Sequence, residues 1–152
     1  MGLIVPYEPQ YLDAIAELEK RAFPVGPYSK QMLKRIFNDP KSFSFVLLEK
    51  SEVIGYVSAL PLSETAADIE SIAVDPGHQK KGYGRELLRA IEEEMKRRGY
   101  TVSILEVRDK NQSAIEFYKA NGYSIIRHLP SYYHELYEGS RGAYRMSKRL
   151  LP

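Results

Sequence analysis

The run Ile72-Ala73-Val74-Asp75-Pro76-Gly77-His78-Gln79-Lys80-Lys81-Gly82-Tyr83-Gly84-Arg85-Glu86-Leu87-Leu88 constrains the fold more than any other stretch of the 152-residue chain. An apolar β-prone segment from about Asp68 to Val74 is broken by Pro76-Gly77. An amphipathic helix then runs from about Gly84 to Arg98, with Leu87, Leu88, Ile91 and Met95 on one face and Gly99 at its end. Thr101 to Val107 returns as a strand. A strand, a helix and a second strand in succession call for a crossover and a parallel pair. Between the first strand and the helix, Gly82 and Gly84 let the backbone approach a ligand closely. The helix start offers unpaired amides to an anion, and Lys80, Lys81 and Arg85 add formal charge. Such a loop is a cradle for a pyrophosphate.

The rest of the chain supplies a sheet for this unit. A first helix carries Tyr11, Leu12, Ile15 and Leu18 on one face, begins near Pro9 and ends near Arg21. Ala22 to Tyr28 is a loop. Ser29 caps a second short helix that turns Met32, Leu33, Ile36 and Phe37 inward and stops before Pro40. Phe43–Leu48 and Val53–Leu60 form a hairpin around the charged turn Glu49-Lys50-Ser51-Glu52. From about Asn111 a short helix carries Ala114, Ile115, Phe117 and Tyr118 as far as Asn121-Gly122, and Tyr123–Arg127 and Ala143–Ser147 are closing strands. The expected order is βββαβαββ after two N-terminal helices. It makes an α/β fold of one domain over residues 1–152, with a single mixed, mostly antiparallel sheet flanked by helices.

Composition removes several classes of function. A net charge of +2 lacks the marked basic excess of a nucleic-acid binder, and the cluster at Lys80, Lys81 and Arg85 is local. No apolar run reaches the length of a membrane span. The start Met1-Gly2-Leu3-Ile4-Val5-Pro6 lacks the flank and core of a secretory signal, and the chain has no cysteine, so a cytoplasmic location is expected. His78, His128 and His134 are scattered without metal-ligand spacing, and no metal is expected. The expected assembly is a monomer or a homodimer.

The loop fits neither of two commoner phosphate motifs. A P-loop needs a lysine and a hydroxyl residue directly after its last glycine, and a dinucleotide fold needs a third glycine and a later ribose-binding acid. Val74, Gln79-x-x-Gly82-x-Gly84 and Leu87-Leu88 instead resemble the acetyl-coenzyme A loop of the GNAT superfamily of N-acetyltransferases. Leu105-Glu106-Val107-Arg108 with Asn111 and Ala114-x-x-x-Tyr118 resembles the ribosomal-protein alanine and archaeal Nα-terminal acetyltransferase branch of that superfamily.

The resemblance implies a GNAT fold with a central strand–loop–helix site for acetyl-coenzyme A. It implies that the backbone of Ile72, Ala73 and Val74 pairs with the pantetheine arm, and that Gln79, Lys80, Lys81, Gly82, Tyr83, Gly84 and Arg85 wrap the pyrophosphate. Asn111 contacts the cofactor as well as capping its helix. The same resemblance makes Glu106 the general base and Tyr118 the acid that protonates the coenzyme A thiolate. It places Phe23, Tyr28, Tyr132 and Tyr133 at the acceptor, which is a protein N-terminus, ribosomal proteins being substrates of that branch. Family members carry a glycine and an acidic pair just before the last strand, where Gly139-Ser140-Arg141-Gly142 places an arginine here.

Read from the residues alone, Glu106 shares a strand face with Val102 and Ile104, so partial burial would raise its pKa toward that of a useful base. A strand-end glutamate paired with Arg108 is the competing reading. Glu70 and Asp68, on the neighbouring strand, are reserve bases if they too face the groove, and Glu70 is also a candidate substrate-binding residue. Tyr118 is either a core aromatic or a phenol of pKa near roughly 10, able to protonate a thiolate of similar basicity. Direct attack in a ternary complex needs no covalent intermediate. Three other functions compete with Nα-acetylation: acetylation of a polyamine or amino sugar, favoured if Glu64, Asp68 and Glu70 form an acidic pocket; acetylation of a protein lysine side chain; and a non-catalytic acyl-coenzyme A binding or sensing module.

Overall fold

The computed structural model describes residues 2–151 and contains one seven-stranded sheet. Strand β1 (Leu3–Pro6) is followed by a 3-10 turn at Pro9–Tyr11, helix α1 (Leu12–Ala22) and helix α2 (Lys30–Asn38). Strands β2 (Phe43–Glu49), β3 (Glu52–Pro61) and β4 (Ala66–Val74) form a meander. Helix α3 (Tyr83–Arg97), strand β5 (Val102–Arg108), helix α4 (Gln112–Ala120) and strands β6 (Ser124–Leu129) and β7 (Ala143–Arg149) complete the chain. The sheet order is β1-β2-β3-β4-β5-β7-β6. Only the β4–β5 pair is parallel, as the α3 crossover requires.

Local chemistry sets most boundaries. Ser29 caps α2, its Oγ accepting from the Met32 amide at 3.2 Å. The β2–β3 turn places Lys50 and Ser51 at positive φ, the conformation a two-residue hairpin with right-handed strand twist demands. Gly99 ends α3 with φ +92°. Leu87, Leu88, Ile91 and Met95 of α3 are fully buried against one face of the sheet, with Leu105, Val107 and Met146 in the same cluster. On the other face, Ile15 and Leu18 of α1 and Leu33 of α2 enclose Val46, Tyr56 and Ala73.

Two expectations are corrected. The order of six strands after two helices omits β1, which precedes the helices and pairs antiparallel with β2 from Leu3↔Leu48 to Pro6↔Phe45. Met32, expected inward, is 44% exposed: only Leu33 in α2 is fully buried, and Met32 lies in its first turn, around the helix from the contact.

The feature that positions the site is a fork. Strands β4 and β5 pair only from Ala66↔Val102 to Ile69↔Leu105 and then part. Beyond that point β4 stays paired with β3 as far as Gly55↔Val74, and β5 stays paired with β7 as far as Arg108↔Ala143. Each strand therefore carries an unpaired inner edge facing the other across a cleft.

Candidate active site

On one side of the fork lies a cavity of about 660 Å³, lined by Ile72, Ala73 and Val74 of β4, by the loop into α3, and by Asn111, Ala114, Phe117 and Tyr118 of α4 and its cap. Gly82, the residue before α3, holds φ +82° and has no side chain to cap the helix, so the first-turn amides have no capping partner. A Cβ on Gly84 would stand 3.3 Å from Phe117 Cζ, which ties α3 closely to α4. Lys80 and Arg85 line the cavity; Lys81 is exposed and does not. Tyr83 turns its ring into the core and donates from its hydroxyl to Glu49 Oε2 at 2.5 Å, leaving its backbone to the loop. Gln79 donates through Nε2 to the Val74 carbonyl at 3.3 Å. Asn111 caps α4, with Oδ1 accepting from the Ala114 amide at 3.2 Å. Uncapped helix amides, two cations and an unpaired strand edge around one cavity fit a ligand that joins a pyrophosphate to an amide-bearing arm.

Across the fork, β4 presents Asp68 and Glu70 and β5 presents Glu106, all on the sheet face that Val102 and Ile104 share. Glu106 pairs with Arg145, its direct cross-strand partner on β7, whose Nε donates to Oε2 at 2.8 Å. The pairing with Arg108 anticipated from sequence does not form: Arg108 stacks over the Tyr133 ring at 4.0 Å and donates to the Glu135 carbonyl at 3.0 Å. Asp68 is buried beside Glu106. Burial, then the Glu106 charge and contact with Glu70, hold its carboxyl well above the usual range. The Glu106 side chain is itself buried, at 8% exposure. Glu64 is exposed in the β3–β4 turn, leaving Asp68 and Glu70 as the acidic wall.

Three tyrosines surround these carboxyls. Tyr28, in the α1–α2 loop, donates from its hydroxyl to the Glu70 carbonyl at 3.2 Å, and its amide donates to Glu19 Oε2 at 2.9 Å. Glu19 is buried and also accepts from the Tyr56 hydroxyl at 2.6 Å, so α1 anchors this loop. Tyr132 and Tyr133 come from the β6–β7 loop. Burial raises all three phenols; next come Glu70 for Tyr28 and Glu106 for Tyr132, while Arg108 partly offsets the rise at Tyr133. The end of β5 holds the β6–β7 loop: Asp109 accepts from Ser140 Oγ at 2.7 Å and pairs with His128 at 2.9 Å. Arg141, at the position where sequence differs from the family pattern, donates to the His134 carbonyl at 3.0 Å and braces the same loop. The two loops meet at Gly26, where a Cβ would lie 3.0 Å from Glu135 Oε1.

Tyr118 lines the cavity, edge-on to both Phe117 and Tyr123, and its hydroxyl makes no hydrogen bond among the described residues. Burial and then Tyr133 push its phenol above the ordinary value assumed from sequence. It therefore keeps its proton through the neutral range. Phe23, expected on the acceptor wall, lines this cavity with Ala22. Arg145 and Glu19 are residues sequence reasoning missed, and Arg108 enters it only as a partner for Glu106. Strand register would have exposed the first, since Glu106↔Arg145 are paired across β5 and β7.

Similarity to known proteins agrees with this geometry. The acetyltransferase (GNAT) family profile matches residues 12–123. The chain is 29% identical over 137 residues to N-alpha-acetyltransferase 30 of Schizosaccharomyces pombe, covering 88% of this chain and 91% of that protein. It is 30% identical over 134 residues to the ribosomal protein bS18 alanine N-acetyltransferase of Escherichia coli, covering 88% of each. The crystal structure of the Escherichia coli ribosomal-protein-S18-alanine N-acetyltransferase superposes with a TM-score of 0.90 at 27% identity, over 100% of this chain and 96% of that one. Ard1 from Thermoplasma volcanium gives 0.89 at 25% identity, over 99% of each. The chain belongs to the acetyltransferase (GNAT) family and is an acetyl-coenzyme A dependent N-acetyltransferase.

Proposed function

We propose that the acceptor is the Nα-amine of a protein N-terminus, with Glu106 as general base and Tyr118 as general acid. The observation that carries this reading is the fork between β4 and β5, which has Tyr118 lining the cavity on one side and Glu106 on the unpaired end of β5 on the other. An amine and a thioester meeting at the fork would lie between those two groups. Names of relatives from yeast and bacteria, which specify Nα- and ribosomal-protein alanine acetylation, support the same class of acceptor.

In this mechanism Tyr28, Tyr132 and Tyr133 line an extended peptide and orient its first residue, offering apolar walls with polar tips. Ile72, Ala73 and Val74 hold the pantetheine arm by its amides, and the Gln79–Arg85 loop holds the pyrophosphate. Glu106, through a water, takes the proton released as the amine nitrogen bonds to the acetyl carbon. Tyr118 gives a proton to the sulfur as the carbon–sulfur bond breaks, and recovers it from solvent. An α-amine titrates near roughly 8 and a lysine amine near roughly 10, so a carboxylate acting through water suits the N-terminus better.

The carboxyls of Asp68 and Glu70 favour one competitor, a polyamine. Thiol release from acetyl-coenzyme A separates the two. The acceptors are a peptide with a free N-terminus and no lysine, its N-blocked lysine-containing counterpart, and spermidine. Turnover with the first peptide is expected. Turnover with spermidine alone would replace Nα-acetylation with polyamine acetylation, and turnover with the blocked peptide alone would assign the lysine side chain.

A further inference from the structure

Three carboxyl groups converge at the acceptor side of the fork, and one guanidinium accompanies them. Asp68 is paired with Ile104 in the β4–β5 register, so its side chain stands on the same sheet face as Glu106, two residues further along β5. Its carboxyl lies within electrostatic reach of those of Glu106 and Glu70, both of which act to raise it. The residue is 8% exposed, and its Oδ1 is buried with no donor among the described residues. The neighbouring cation is already engaged, since Arg145 Nε donates to Glu106 Oε2. Tyr132 and Tyr133 face the cluster as neutral phenols, and the Tyr28 hydroxyl is committed to the Glu70 backbone carbonyl.

Ionised carboxylates in contact repel one another, and neither can donate a hydrogen bond. A single proton changes both facts. It removes one charge, gives the orphaned Asp68 carboxyl a partner, and turns a repulsive contact into an O–H···O⁻ bond, which is among the stronger hydrogen bonds. The group that keeps the proton is a buried one with no ion pair of its own. Those conditions describe Asp68, whereas Glu106 has Arg145 and Glu70 is only partly buried.

We propose that Asp68 carries a proton in the resting enzyme and donates it as a hydrogen bond to the Glu106 carboxylate, making Asp68 a positioning residue for the proton acceptor. The inference rests on the reading of Glu106 as general base. Arg145 and Asp68 grip that carboxylate from two sides, fix its direction toward the fork, and leave it ionised to receive a proton from the acceptor. Asp68 is then excluded as the base itself, because it has no vacancy for a second proton.

Infrared difference spectra of the full chain test the proton directly, without any acceptor. At neutral pH the wild type minus Asp68→Asn spectrum should contain a carboxylic-acid C=O stretch that shifts in Glu106→Gln and stays in place in Glu70→Gln. Absence of that band, or its response to Glu70→Gln alone, overturns the proposal. Steady-state kinetics supply the second reading. Asp68→Asn, which keeps a neutral donor, should lose no more than about threefold in kcat, and Asp68→Leu about thirtyfold with little change in the KM for acetyl-coenzyme A, as expected for one hydrogen bond to a charged group. An Asp68→Asn variant as slow as Glu106→Gln would make Asp68 the base and sink the idea. A wrong choice of acceptor class leaves the infrared result intact, so the two readings fail separately. If Asp68→Leu does not fold, the spectra and the Asn variant still decide.

Discussion

The two sides of the fork are built in opposite ways. The proposed cofactor side is largely one contiguous stretch, Ile72 to Arg85, and much of its binding capacity is backbone: a strand edge, a loop and the uncapped start of α3. The proposed acceptor side is assembled from the α1–α2 loop, β4, β5, the β6–β7 loop and β7, and it works almost entirely through side chains. A backbone site tolerates most substitutions and fails where a glycine is replaced. A side-chain site depends on single groups and on the braces that aim them, such as Glu19 beneath Tyr28 and Arg108 beneath Tyr133.

The contrast is tested hardest by Glu106→Gln. Loss of the base should lower kcat by about 100-fold or more with the KM for acetyl-coenzyme A little altered, and steady-state kinetics varying each substrate would show it. A rise in that KM instead would mean that the two sides are not separable. Tyr118→Phe comes next, lying where the sides meet. We expect kcat to fall by about 10- to 100-fold, while titration calorimetry finds coenzyme A bound as before; an unchanged rate removes Tyr118 from the mechanism.

On the cofactor side, Gly84→Val should do the reverse. The added Cβ meets Phe117 at 3.3 Å and β-branching widens the clash, so the KM for acetyl-coenzyme A should rise about tenfold with a smaller fall in kcat at saturation. A large kcat effect without a KM effect would erase the distinction.

The smallest effect is on stability. Burial, followed by the Glu106 charge, raises the Asp68 carboxyl, so the folded chain prefers its protonated form. Below the ordinary carboxyl range both folded and unfolded chains hold the proton, and the contribution is fully present. As pH rises, the unfolded chain releases its proton first, and stability declines until the folded chain also lets go. Asn has no proton to lose. The Tm of Asp68→Asn should therefore exceed that of the wild type by more at about pH 9 than at about pH 5, as thermal melts across that range would reveal. A constant difference would mean that Asp68 is ionised in both states.

The same contrast explains what was legible in the sequence. The strand, loop and α3 announce themselves locally through glycines, cations and an apolar face of helical period, and α3 begins one residue from where that pattern places it. Strands β2 to β5 and the Asn111 cap are equally local. Strand β1 is not: four residues ending in proline carry no periodicity, and their identity as a strand comes from pairing with β2 some forty positions away. Ser124–Leu129 is an edge strand with mostly exposed residues, so its apolar Ile125 and Ile126 do not mark a buried face. At the acceptor side, residue types could be picked out singly, but their partners could not. Glu106 meets Arg145 rather than the nearer Arg108 because register across β5 and β7, and not proximity in the chain, decides which charges touch.

The fork has a consequence beyond chemistry. Unpaired strand edges are where sheets recruit foreign strands and aggregate, and proteins usually blunt them with charge, proline or an overlying element. Here two such edges are turned toward each other inside the sheet rather than outward, with α4 and the α3 loop walling the gap. The fold thus keeps hydrogen-bonding capacity in reserve for a guest while denying it to the edge of another protein, a form of quarantine achieved by topology.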